Sequence, residues 1–153
     1  MADLIIKPAS GGDSLIFQDG AGTAVATIST NEWLYSKGVQ ENAVTTGTVS
    51  GTTITCDLAA ANFFTCDLQG ASGTVTTFTF SNPAASGSVS AWTIKYIQGS
   101  SARALTYPSS IHWGGGTDHV MSTANDAVDI VSFFTIDAGT TVYASIVGQA
   151  FAA

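Results

Sequence analysis

Gly73-Thr74-Val75-Thr76-Thr77-Phe78-Thr79-Phe80-Ser81 is the stretch that decides the fold class. Val75, Thr77 and Thr79 alternate against Thr76, Phe78 and Phe80, which leaves the second set as an aromatic face. A period of two is the mark of a strand, and β-branched and aromatic residues favour one. The next long run, Ser88–Gln98, repeats the pattern with Trp92, Ile94 and Tyr96. Working outward, strand-like runs fall at Ile54–Leu58, Asn62–Leu68, Ala104–Tyr107, Ala127–Asp137 and Thr140–Phe151. Asn82-Pro83, Gly99-Ser100 and Asp137-Ala138-Gly139 supply turn chemistry between runs. No helix-length amphipathic pattern interrupts them. Spacing of this kind predicts an all-β fold whose main domain, residues 54–153, is a single antiparallel β-sandwich of jelly-roll-like type.

The N-terminal third reads differently. Leu4–Lys7, Ser14–Gln18 and Thr23–Ile28 are short strand-like runs separated by Pro8, Gly11-Gly12, Asp19-Gly20 and Gly22. Such runs are too short for a core of their own, so residues 1–30 are expected to act as a β-arm that pairs with another chain or with a host surface. Residues 31–53 are expected to form a linker. Across the junction, Ser29-Thr30-Asn31-Glu32 has capping-box spacing and Gly38 offers a stop, which fits a helix of two turns or an extended segment. The Thr/Gly/Ser stretch from Thr45 to Thr53 reads as the hinge or entry strand of the main domain.

Composition narrows the function. Of 153 residues only 4 are Lys or Arg and 11 are Asp or Glu, for a formal net charge of −7. About a quarter of a soluble domain is normally charged. A surface so poor in charge promotes association, which points to a part of an assembly rather than to a free enzyme. Lys7, Lys37, Lys95 and Arg103 are too few and too scattered to track a phosphate backbone or an anionic membrane. No nucleic-acid or membrane partner is therefore expected. The opening Met1-Ala2-Asp3-Leu4-Ile5-Ile6-Lys7-Pro8 lacks the basic and apolar regions of a signal peptide.

Chemistry-bearing residues are sparse. Cys56 and Cys66 lie in a repeated Thr-Cys-Asp-Leu tetrapeptide, 55–58 and 65–68, and are expected as buried free thiols. A hairpin turning at Ala60–Asn62 would set the two sulfurs face to face. His112, Asp118 and His119 share the loop Ile111–Val120, but a metal site needs three or four preorganised ligands, so a solvated or interface loop accounts for them better. Neither the paired acids of a glycosidase nor a calcium loop stands out among Asp57, Asp67, Asp126, Asp129 and Asp137. Gly-x-Ser-x-Gly, phosphate-loop and His-Glu-x-x-His motifs are missing too. The expectation is no enzyme, no cofactor and no metal. Most aromatics sit at strand alternation positions. Trp113, against Gly114-Gly115-Gly116, is expected to be a contact residue, with His112 and His119 beside it.

Several of these segments also form a familiar ordered set. They are Asn62-Phe63-Phe64, Thr77 to Pro83, Thr106-Tyr107-Pro108 through Gly116, Asp129 to Phe134, Thr141-Val142-Tyr143 and Gly148 to Ala152. Together they resemble the C-terminal β-sandwich of tailed-bacteriophage virion proteins of the tail-fibre or fibre-like type. Met1 to Pro8 followed by Ser14 to Asp19 is similar to the N-terminal attachment motif of phage appendage proteins, cyanophage and other marine-type phages among them. The resemblance implies a homotrimer with a sandwich knob, anchored through Leu4, Ile6, Leu15, Phe17, Val25 and Ile28. With so short a span between anchor and knob it favours a compact capsid decoration (cement) protein. Its partners would be itself and the phage major capsid protein or another virion protein, and its location the virion, after synthesis in the host cytoplasm. The alternative is a short tail-fibre protein recognising a host surface glycan.

Overall fold

The computed structural model describes the strand backbones at 14–18, 24–29, 33–35 and 43–44, and residues 47–151 with their side chains. Two compact units divide the chain, residues 1–40 and 41–153. The first is a three-stranded sheet in the order β1-β2-β3, with β1 at Ser14–Gln18, β2 at Ala24–Ser29 and β3 at Trp33–Tyr35. Both pairings are antiparallel, with Leu15 opposite Ile28 and Thr27 opposite Leu34. Two of the three expected arm strands thus pair with one another, and the third, Leu4–Lys7, lies outside the described residues. Where the capping-box spacing allowed a helix, Trp33–Tyr35 is a strand: three bulky residues beside a ready ladder gain more from pairing than from an isolated turn of helix.

The second unit begins earlier than the expected knob boundary at residue 54. It contains β4 (Ala43–Val44), β5 (Thr48–Ser50), β6 (Thr53–Asp57), β7 (Phe63–Asp67), β8 (Thr77–Ser81), β9 (Ser90–Ile97), β10 (Ile111–Trp113), β11 (Val128–Thr135) and β12 (Val142–Phe151). These strands form two sheets, one of six strands ordered β10-β12-β11-β9-β7-β4 and one of three ordered β5-β6-β8. The fold is all-β, as the alternation predicts.

An all-antiparallel ladder, however, is not what forms. The pairs β4/β7, β7/β9, β6/β8 and β10/β12 are parallel. Nor do β6 and β7 make the expected hairpin, since they lie in different sheets. A tight turn at the end of β6 carries the chain across. The Asp57 side chain accepts the Ala59 amide at 3.0 Å, and the Asp57 carbonyl accepts the Ala60 amide at 3.0 Å. This tight turn arches the chain from one sheet to the other rather than back along β6. The second copy of the tetrapeptide repeats the device, for Asp67 accepts the Gln69 amide at 2.9 Å and opens a 3-10 turn over Leu68–Gly70. The connection from β8 to β9 also crosses between the sheets. Consecutive crossings bring same-sheet neighbours in parallel, with Thr53 opposite Thr77 and Phe63 opposite Thr93.

The core lies between the two sheets. Ile54 and Cys56 enter from β6, Phe64 and Cys66 from β7, Trp92, Ile94 and Tyr96 from β9, and Val131 and Phe133 from β11. Phe78 and Phe80 of β8 pack against this cluster half-buried. Phe80 meets Trp92 at 4.7 Å between ring centroids, and Trp92 stacks on Phe133 at 5.6 Å and 13°. Each such side chain contributes about 1.5–3 kcal/mol by leaving water. The β11–β12 hairpin closes the sheet through Asp137, which accepts the Thr141 amide at 2.9 Å and the Thr135 hydroxyl at 2.8 Å. Ala138 and Gly139 take φ values of 58° and 84° at its tip, where the glycine is at ease.

Candidate functional site

The loop expected to offer Trp113, His112 and His119 to a partner divides between surface and core. His112 is exposed, whereas Trp113 is 9% exposed and His119 1%. Strand β10 is the cause, because its period of two turns Ile111 and Trp113 inward and His112 outward. Trp113 meets Tyr107 edge-on at 4.8 Å and lies 6.0 Å from the His119 ring. Neither Trp113 nor His119 is a surface contact residue. Asp118, their sequence neighbour, stays exposed.

His119 instead joins a buried relay. The Tyr107 hydroxyl lies 2.9 Å from His119 Nδ1, and His119 Nε2 lies 2.8 Å from Asp129 Oδ2. Asp129 also accepts the Ser122 amide at 2.8 Å and the Ala150 amide at 2.9 Å. Burial alone would raise the Asp129 carboxyl, but the amides of Ala150 and Ser122, the Ser122 side chain and His119 outweigh it and hold the group below the usual carboxylate range. A carboxylate only accepts, so Nε2 carries a proton and donates to it, while Nδ1 faces the Tyr107 hydroxyl. Burial pushes that hydroxyl well above its ordinary pKa, in keeping with a group that stays protonated.

The relay therefore links the stretch around Tyr107, the segment 119–122, β11 and β12. It resembles the hydroxyl–imidazole–carboxylate order of a nucleophilic triad, yet ring and carboxylate are sealed at 1% and 0% exposure. What this arrangement does chemically is satisfy buried polar groups and fix the long loop between β10 and β11. The sequence holds one signal of it: Asp129 stands inside an otherwise apolar strand run, Ala127 to Phe134, where a charge needs a partner.

The surface carries the other candidate. Exposed large apolar side chains gather on β11, β12 and their hairpin: Phe134, Ile136, Tyr143, Ile146, Val147 and Phe151. On the outer face of the six-stranded sheet, Tyr143 pairs with His112 on one side and Phe134 on the other. The Phe134 and Tyr143 rings stack at 5.0 Å and 20°, and both are more than 40% exposed. One register step along, Ser145, Ser132 and Thr93 form a row of hydroxyl residues, with Thr93 and Ser132 hydrogen-bonded at 2.9 Å. An apolar cluster bordered by neutral hydroxyls suits a protein interface, with Lys95, opposite Ile130 and one step beyond the hydroxyl row, as the charge at its edge.

Of the six expected anchor residues, Leu4 and Ile6 lie outside the described residues. Leu15 and Phe17 fall on β1, and Val25 and Ile28 on β2, so these four belong to the first unit.

Comparison with protein-family models, with curated proteins and with solved structures finds no match to this chain.

Proposed function

We propose that this chain is a structural subunit of a phage virion, a homotrimeric capsid decoration (cement) protein. The observation that carries this reading is the exposed apolar face of β11 and β12 in a chain with only 15 charged residues. Three copies burying these faces about a three-fold axis would remove Phe134, Tyr143 and Val147 from water. The first unit, a separate three-stranded sheet, is the part that would engage the capsid lattice, by main-chain pairing at its strand edges. A subunit that binds only the assembled shell stabilises it by mass action. The jelly-roll-like antiparallel knob drops out of this picture, since the mixed sheets of the second unit present the interface equally well.

A second reading rests on the Phe134–Tyr143 ring pair beside the Ser132, Ser145 and Thr93 row. Rings next to hydroxyls are also what a glycan uses, and the protein would then be a short tail-fibre subunit that recognises a host surface polysaccharide. Imaging of particles with the labelled protein separates the two. Label over the whole head supports decoration, label confined to the tail supports the fibre, and no binding to either refutes both. A native mass corresponding to a monomer at micromolar concentration would overturn the trimer.

A further inference from the structure

We infer that Cys56 and Cys66 are a latent disulfide, two thiols placed to be joined covalently across the core when the chain meets a small-molecule disulfide. The inference does not depend on the virion reading. Cys56 comes from β6 in the three-stranded sheet and Cys66 from β7 in the six-stranded sheet, and their exposures are 1% and 0%. Both are free thiols. Their sulfurs share one space, because a Cβ added at the buried Gly47 would run into Cys66 Sγ and approach Cys56 Sγ to 3.1 Å. Gly47 is fixed there by its amide, which donates to the Thr65 carbonyl at 3.0 Å. The same arch that separates β6 and β7 into two sheets is what aims both side chains inward at each other.

The chemistry is two exchanges. One cysteine thiolate attacks a sulfur of the small disulfide and expels one thiolate, which leaves a mixed disulfide on the protein. The second cysteine thiolate attacks the protein sulfur of that mixed disulfide and expels the other. The protein loses two electrons and two protons, and the reagent gains both as two thiols. In the closed fold the Cys66 sulfur and burial keep the Cys56 thiol protonated, with its pKa pushed far up. Exchange therefore waits on opening of the arch at residues 58–62, and the oxidised arch then closes onto a native-like core.

The test uses the full chain with oxidised glutathione in increasing sub-denaturing urea, followed by acid quench, intact mass and peptide mapping. The expected product is lighter by two hydrogens and yields a Cys56–Cys66 cross-linked peptide. It keeps the native circular dichroism, and its thermal midpoint rises by roughly 10 °C because an eleven-residue loop is closed in the unfolded chain. Its rate of formation should rise with urea, and dithiothreitol should reverse the shift. The single variants Cys56→Ser and Cys66→Ser should stop at one glutathione adduct with no gain in midpoint. An oxidised product with a lowered midpoint or lost native dichroism would overturn the inference. So would two stable glutathione adducts per chain.

Discussion

Replacing Asp129 with alanine removes the acceptor on which three donors converge. The Ser122 amide, the Ala150 amide and His119 Nε2 lie 2.8, 2.9 and 2.8 Å from its oxygens, and the carboxylate itself is 0% exposed. Each of these donors left without a partner costs up to about 1–3 kcal/mol, the most for the buried His119 Nε2. Against a domain stability of about 5–15 kcal/mol this is a large fraction. Urea unfolding followed by tryptophan fluorescence reads it directly, as a lower midpoint at unchanged slope. His119→Ala, made alone and with Asp129→Ala, closes a double-mutant cycle, and the pair should lose less than the sum of the singles by at least about 1 kcal/mol. The pH dependence carries the same logic. The folded carboxyl titrates below its unfolded value near 3.9, so its stabilisation is present above that pH and is lost as pH falls through the lower, folded value. Asp129→Ala should therefore flatten part of the acid limb of the stability profile. A loss under 1 kcal/mol, or an acid limb identical to that of the wild type, would refute the relay as a stabilising unit.

Gly47→Ala should cost about 1–3 kcal/mol through overpacking against the two sulfurs, and Cys66→Ala added to it should recover part of the loss in the same unfolding assay. The double change of Phe134 and Tyr143 to serine should shift sedimentation from trimer toward monomer. The monomer should stay folded, losing the stacking of the pair, about 0.5–1.5 kcal/mol, together with the partial burial of each ring. Asp57→Ala should loosen the arch between β6 and β7, because the carboxylate holds both the Ala59 amide and, at 2.8 Å, the Asn82 side chain. Faster amide exchange at residues 58–62 checks it, as does faster disulfide formation. His112→Ala, at an exposed position outside the relay, should leave unfolding unchanged within about 0.5 kcal/mol.

Much of the strand content was legible in the chain because a period of two writes itself into side-chain chemistry. Trp92, Ile94 and Tyr96 alternate in sequence and are all buried in β9. Asp57 and Asp67, each next to an inward cysteine, end exposed as alternation requires. What alternation does not encode is which strand lies beside which. A turn residue such as Asp57 serves a hairpin and an arch alike, and only packing of Cys56 and Cys66 into one core selects the arch. The fate of the 111–120 loop was hidden for a related reason. Three glycines after Trp113 read as a surface loop, while the partner that draws His119 inward, Asp129, lies ten residues away on β11.

The sequence by itself determined the class: an all-β chain, with strands placed by alternation, turns placed by Asn, Asp, Gly and Pro, and too few charges to cover its own surface. These are properties of single residues and near neighbours, which composition and periodicity carry. Only the tertiary structure decided the parallel pairings, the burial of Trp113 and His119, the meeting of Cys56 with Cys66, and the gathering of Phe134 and Tyr143 on one exposed face. Each of those depends on which segments become neighbours, and that is settled by the packing of the whole core rather than by any stretch within it.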